Sequence, residues 1–485
     1  MRMKERQPRS QATASKVSGT GPASVRTPVA HRRDRRRERR QAGRVRATAA
    51  VVVAFSLSAA PALAQTAPDT TVKRAGPPRH AGVATLVPEL TVGTVDGAVE
   101  YVFGRPTEAL TLRDGTVLIL DAPTGAAPAL RQYDGSGRYI RMIGRTGEGP
   151  GEYRGPSGLA QLPDGRILLL DGLNRRINVY TEAGEPAGDW SVGDVVIGFG
   201  GGGGLRVGRD GTVYARARVR RAGARISERF GTVFVRFSPD GRIIDQVPEP
   251  ELPDVGGSIT KSTPNSGTTV TVPYAPQSLS ALSPLGGFVT GVTTRYAFEL
   301  RLPRRAGAAP GAPPTWSPAD GVISVRRDIE RVGVSREERA ALRSDLEARL
   351  ERAQGTLNRQ IPEISSTKPP YRRIDVGDDG RIWIRVSTPS ERYDPAEPGS
   401  SPGGGVTMGV GGGSTGIRPT FTPIAPVPWR EPTRYDVFEP DGSYVGQVAL
   451  PYDTRILRMR GDTVWGVVTD DLDVPVVRRF RIGWR

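Results

Sequence analysis

The 485-residue chain carries 68 Lys+Arg against 51 Asp+Glu, two His and no Cys. Without Cys there is no disulfide framework, no thiolate nucleophile and no Cys-ligated metal or iron–sulfur site. His31 and His80 are the sole imidazoles, so a multi-His zinc site is excluded and any His-based catalysis reduces to His80. An enzyme built on this chain has to work with carboxylates, Tyr, Lys, Arg or an oxygen-ligated cation.

The positive charge is concentrated at the start. Residues 1–64 hold 15 Lys+Arg and 3 Asp+Glu, so +12 of the formal +17 lies there and +5 remains over residues 65–485. An Arg-rich run from His31 to Arg40 precedes the apolar stretch Ala47 to Ala60, which ends in Pro61-Ala62-Leu63-Ala64. A basic region, an apolar region and a small-residue end form a secretory signal peptide over residues 1–64. The apolar run is shorter than the roughly 20 residues that span a bilayer. The expected mature chain begins at Gln65, has no membrane span and is periplasmic or extracellular. Most of the excess charge leaves with the signal, and a nucleic-acid binder would keep a basic footprint in its folded part. Nucleic acid is therefore not an expected partner.

Residues 65–83 read as a disordered lead-in, with His80 as a solvated tail residue. Thr85–Val92 (TLVPELTV) is strand-like but has no repeat of its own. Repeats follow it. Asp114-Gly115, Asp164-Gly165, Asp210-Gly211, Gly286-Gly287, Asp379-Gly380 and the degenerate Gly461-Asp462 each precede a short β-branched or aromatic alternation. Asp-Gly between alternating strands signals a two-residue hairpin, because both residues tolerate φ > 0. A second turn follows in most units, at Tyr133-Asp134-Gly135, Tyr180 to Gly184, Phe237 to Gly241 and Phe438 to Gly442. Six such units of four strands predict an all-β, six-bladed β-propeller over residues 84–485, with the N-terminal strand closing the last blade.

Longer spacings between later units imply insertions. Residues 303–334 read as a linker, and 389–430 as a Pro/Gly-rich insertion. Between them, Ser335 and Glu338 form a capping box ahead of Leu342, Leu346 and Leu350. That predicts one inserted amphipathic helix over 335–353, docked on a propeller face.

Residues 143–184 contain Gly149-Pro150-Gly151-Glu152-Tyr153, Pro156, Gly158, Asp164-Gly165, Asp171, Asn174, Arg176-Ile177 and Tyr180. Over these forty or so residues the chain resembles the NHL-repeat (TolB-like) class of exported bacterial six-bladed propellers. The resemblance implies the fold but not the function, because that fold hosts binders and enzymes alike.

In a propeller the loops joining blades and those joining second to third strands share one face. Here that face collects Glu148, Glu152, Tyr153, Arg154, Asn174, Arg175, Asp470, Asp471 and Asp473. Mixed charge with Tyr suits a protein, peptide or glycan partner, and the leading expectation is a non-catalytic binding scaffold without a cofactor. Asp121 and Asp171, at the ends of second strands, read as repeated loop ties, and Arg176 as an inter-blade tie. Trp383 and Trp465 share the slot of Leu118 and Leu168 and read as core. Gly198 to Gly203 matches a dinucleotide fingerprint, but a strand follows it where a helix is required.

Glu148-Gly149-Pro150 is similar to the metal-binding Glu of gluconolactonase-like propellers. That implies, as an alternative, a Ca²⁺-dependent lactonase or esterase. Ca²⁺ needs six or more oxygens, and the mature chain is poor in Asn, with Asn174, Asn178, Asn265 and Asn358 alone. Mass spectrometry of the exported protein should find Gln65 at the N-terminus; a chain that keeps its apolar run would refute the signal-peptide reading.

Overall fold

A computed structural model of the protein describes residues 70–192, 196–197, 204–220, 230–264, 266–301, 321–394, 427–469 and 474–484. The signal segment lies outside these, as do Asp470, Asp471 and Asp473.

Six antiparallel meanders follow one another along the chain. The first runs through Pro106–Thr111, Val117–Asp121, Ala129–Tyr133 and Tyr139–Met142, and the second through Pro156–Gln161, Ile167–Asp171, Arg176–Tyr180 and Pro186–Ser191. The third uses Leu205–Val207, Val213–Arg220, Phe230–Phe237 and Ile243–Pro248, and the fourth Ser278–Leu282, Phe288–Val292, Ala297–Arg301 and Val322–Arg326. The fifth comprises Tyr371–Val376, Ile382–Val386, Arg434–Phe438 and Tyr444–Ala449. The sixth has only Arg455–Arg460, Thr463–Thr469 and Pro475–Gly483 from its own stretch of chain.

Apolar side chains alternate along these strands, so each meander has two apolar faces, and each face is shared with a neighbour. One cluster joins Leu118 and Leu130 to Leu169 and Tyr180 across the first and second meanders. Others join the second to the third, the third to the fourth, the fourth to the fifth and the fifth to the sixth. The last joins Trp465 and Val477 of the sixth meander to Ala109 and Ile119 of the first. A ring of sheets closed on itself through side-chain cores is a β-propeller.

The N-terminal segment completes the ring. Strand β1 (Thr70–Arg74) pairs in parallel with Val322–Arg326 on the outer edge of the fourth meander. The chain then crosses the fifth meander, where His80 N–H donates to Val445 O at 2.9 Å. Strand β2 (Val83–Val92) starts parallel to Gln447–Ala449 and continues antiparallel to Pro475–Gly483 as the fourth strand of the sixth meander. The expected closing strand is thus present. The expected disorder of 65–83 is corrected from residue 70 onward, because backbone pairing to two sheet edges orders that segment. His80 is no solvated tail residue either: its ring stacks on Trp484 at 4.8 Å and 16°.

Two further expectations change. Five of the six first turns are three-residue loops, as in Leu112 N–H to Thr116 O (2.8 Å) and Gly115 N–H to Leu112 O (3.0 Å). Gly115 takes the left-handed position at φ 84°, and the Asp114 carboxylate accepts Thr116 N–H at 2.9 Å, an Asx turn. Gly461-Asp462 alone makes the two-residue loop, between Arg460 and Thr463. Within the expected linker 303–334, Val322–Arg326 is the fourth strand of its meander; its apolar alternation is hidden by the Pro/Gly run before it.

The inserted helix α1 spans Arg336–Arg352, and Ser335 Oγ accepts Glu338 N–H at 3.0 Å. Leu342, Leu346 and Leu350 pack with Ile259, Val272 and Ile364. Ile259 belongs to a hairpin, Ser258–Ser262 with Gly267–Thr271, inserted between the third and fourth meanders. The leucine face of the helix therefore packs on another insertion. Of residues 389–430, Glu391–Arg392 and Trp429–Arg430 pair as strands and 395–426 lie outside the described residues.

Leu90, Val92, Phe103, Tyr133 and Trp465 share the closing core. Leu90→Asp should lower stability by about 3 kcal/mol or more, because it buries an unpaired carboxylate at the ring junction. Thermal unfolding by circular dichroism reads this out, and an unchanged melting temperature would refute the role given to β2.

Candidate functional site

The two ends of the propeller differ. At one end lie the turns between first and second and between third and fourth strands. At the other lie the connections between meanders and between second and third strands, here called the loop end.

The residues singled out in 148–175 do meet at the loop end, but mostly to hold one another. Asp171 accepts Gly155 N–H at 2.8 Å and Asn174 Nδ2 at 2.7 Å, and Asn174 Nδ2 also donates to Gly147 O at 2.9 Å. Asp121 repeats the role one meander earlier, accepting Arg105 N–H at 2.7 Å. Arg176 Nη2 donates to Gly149 O at 2.6 Å and Glu152 O at 2.8 Å. Glu152 folds back onto Gly149 N–H (2.8 Å) and Arg145 Nε (2.7 Å), which hold its carboxyl below the usual range. Tyr153 is corrected as a ligand candidate: it is fully buried, accepts Leu130 N–H at 3.0 Å and donates to Ile143 O at 3.2 Å. Glu148 and Arg154 are exposed and ion-paired to each other, and Arg175 is exposed with its backbone left-handed at φ 54°. The ties read into Asp121, Asp171 and Arg176 are thus present, and Trp383 and Trp465 are buried in the cores.

A second cluster at the loop end had no sequence signal beyond the rarity of lysine. Lys368, fully buried ahead of the fifth meander, directs Nζ at Thr388 O (2.8 Å), Ser390 Oγ (2.6 Å) and Glu431 Oε1 (2.6 Å). Two of these contacts are hydrogen bonds, and the third is an ion pair with the Glu431 carboxylate. Arg372 pairs with the other Glu431 oxygen. Glu338, expected to close a capping box, instead accepts Ser390 Oγ and Tyr274 Oη, each at 2.6 Å. Burial and the two carboxylates push the Tyr274 phenol well up. Tyr274 itself sits at φ 56°, which a bulky residue adopts only when its surroundings enforce it. Two cations and two carboxylates thus fasten the helix to the fifth meander.

The central channel is stoppered. Arg458 Nη2, from the sixth meander, donates to Leu159 O of the second at 2.6 Å and lies 3.6 Å from Glu108 of the first. Arg458 Nε is 3.4 Å from Asp378, and Arg206 of the third meander is 3.5 Å from the same carboxylate. Glu108 and Arg458 are buried. Above this stopper, at the loop-end mouth, Arg455 Nη2 donates to Pro106 O, and the neighbouring Arg105 Nε donates to Ala122 O at 2.8 Å. Burial and repulsion from Arg105 lower the pKa of Arg455.

The Glu148 carboxylate is ion-paired with Arg154, and Asn174 turns its Nδ2 to Asp171 and Gly147 O. Among the described residues no group of three or more His, Asp or Glu could hold a metal. None of the helices among the described residues is long and apolar enough to cross a membrane. An open depression of about 810 Å³ lies at the opposite end, between turn tips at Arg113, Asp114, Arg141, Glu182 and Ala183, far from these clusters.

No protein-family model matches this chain, and no curated protein does. Among solved structures it is similar to a member of the DUF4221 family from Bacteroides vulgatus, at 11% identity over 83% of this chain and 99% of that one, with a TM-score of 0.41. A PQQ-bound aldose sugar dehydrogenase from Streptomyces coelicolor shares 13% identity over 83% of this chain and 100% of that one, TM-score 0.36. The calcium-binding protein regucalcin from Agrobacterium tumefaciens shares 12% over 84% and 97%, TM-score 0.32. Likeness at this level carries no activity across.

Lys368→Met should destabilise the protein by about 3–5 kcal/mol, because it strands the Glu431 and Glu338 carboxylates in a buried site. Lys368→Arg should not restore stability, since a planar fork does not match three acceptors around one nitrogen. Denaturant unfolding of both variants tests this, and wild-type stability in Lys368→Met would refute it.

Proposed function

We propose that this protein is an exported, non-catalytic six-bladed propeller of the NHL-like kind, binding a protein or peptide, or a glycan, at its loop end. The observation that carries this reading is the stopper. Arg206, Asp378 and Glu108, with Arg458 and its bond to Leu159 O, tie five meanders together across the channel, which supports a reading in which the partner meets a surface. Small-molecule chemistry is commonly sited in deep, largely enclosed clefts. Two surfaces are open to a partner, the loop end and the depression at the short-turn end, and we assign the partner to the loop end.

Two features support that end over the other. Among the described residues, the three non-glycine residues with left-handed backbone, Arg175, Tyr274 and Asp453, all lie in its loops. Strained residues gather where a surface is held ready for use. The short-turn end instead repeats one turn design.

A screen of the purified protein on arrays of defined peptides and oligosaccharides should find a ligand. Its affinity should fall about tenfold, about 1.4 kcal/mol, in Arg154→Glu, which sets a carboxylate beside Glu148. Arg113→Gln at the opposite end should leave it unchanged. Binding lost with Arg113→Gln but kept with Arg154→Glu would place the partner on the wrong end and sink the proposal.

A further inference from the structure

The stopper and the mouth of the channel differ in one respect that bears on the ligand's chemistry. Within the channel, Arg458 and Arg206 face the Glu108 and Asp378 carboxylates, and Arg373 is paired with Asp375 at 2.7 Å. At the mouth, among the described residues, Arg105 and Arg455 have no acidic partner. Each guanidinium spends one donor on a backbone carbonyl, Arg105 on Ala122 O and Arg455 on Pro106 O. A guanidinium carries five N–H groups, so most of the donors at the mouth are left over. Pro106, whose carbonyl holds Arg455, follows Arg105 in sequence, and the two cations are near enough at the junction of the first and sixth meanders to repel one another.

Resting on the loop-end binding reading, we infer that Arg105 and Arg455 form a seat for a carboxylate of an acidic peptide segment of the partner. Two like charges repel, and partial desolvation together with repulsion from Arg105 disfavours the charged form of Arg455, which is itself exposed at the mouth. Glu108, the one acid that offsets this, is already committed to Arg458. A carboxylate arriving at the mouth removes the repulsion and takes two charge-assisted hydrogen-bond donors, the geometry at which Arg outperforms Lys. Sugar rings would instead call for open aromatic faces. The rings in this quarter of the loop end, Tyr393 and Tyr452, are covered by Arg430, whose guanidinium carbon stands 5.3 Å and 4.1 Å from their centres. That favours the peptide.

Calorimetry on the purified protein tests this, with acetylated, amidated hexaglutamate as the probe at low ionic strength. Saturable binding is expected that weakens with salt, falls at least tenfold in Arg105→Gln and in Arg455→Met, and is unchanged in Arg113→Gln. Arg105 and Arg455 are both exposed, and Arg105→Gln keeps the test informative if Arg455→Met fails to fold. Hexaglutamate binding insensitive to both substitutions overturns the seat while leaving a loop-end binder standing. Hexagalacturonate bound more tightly than hexaglutamate overturns the peptide assignment. The sequence also carries Asp470, Asp471 and Asp473 between Thr469 and Pro475, outside the described residues. Binding that appears only in D470N/D471N/D473N would make the chain its own counter-ion and would likewise overturn the inference.

Discussion

Everything in this molecule depends on the pairing of β2 with Pro475–Gly483. A propeller sheet ring has two chain ends, and with no Cys available nothing covalent can join them. Backbone hydrogen bonds from Thr85↔Gly483 to Val92↔Val477 do so instead. The strand also carries Leu90 and Val92 into the core between the sixth and first meanders. Without it the sixth meander would expose an unpaired edge, and the first meander would lose one side of its packing. The segment before it extends the same logic outward. By pairing β1 with the fourth meander and running past the fifth, the chain covers two more sheet edges that would otherwise recruit foreign strands.

A ring closed this way is rigid in its sheets and free at its two ends, and the two ends are used differently. At the short-turn end the same hairpin recurs, with a carboxylate capping the turn and a glycine in the left-handed position. The loop end accommodates the helix, the hairpin that supports it and the strained backbone of Tyr274. Buried ion pairs are poor sources of net stability, because desolvation offsets their attraction. Their value here is geometric. Lys368 with Glu431 and Glu338 admits one arrangement of the helix against the fifth meander, and Arg458 with Glu108 and Asp378 admits one arrangement of the channel walls.

The repeat was legible because each hairpin is local: Asp-Gly and its flanking alternation are contiguous, and sheet geometry follows from them. So were the helix, whose cap and leucines lie within sixteen residues of Ser335, and the loop ties of Asp121 and Asp171, which recur at one register. Glu152 and Tyr153 were legible as a motif but misread as presented groups. Motif residues in a repeat tend to hold the repeat together, and their polar atoms are spent on neighbouring backbone. The clusters around Lys368 and Arg458 were not legible. Their members come from three to five separate segments, and no spacing along the chain links Arg206 to Asp378 or Glu338 to Ser390.

By itself, then, the amino-acid order determined the class of fold, the count of turn copies, the need for a closing strand and the exclusion of cysteine and multi-histidine chemistry. These rest on period-two alternation, turn stereochemistry and composition, which act over a few residues at a time. Only the tertiary structure decided that the lead-in is a strap, that the channel is stoppered, that the leucine face of the helix rests on another insertion, and that Arg105 and Arg455 meet no acidic partner among the described residues. Charges meet or miss one another in space, and whether a guanidinium finds a carboxylate depends on which strands the ring brings together.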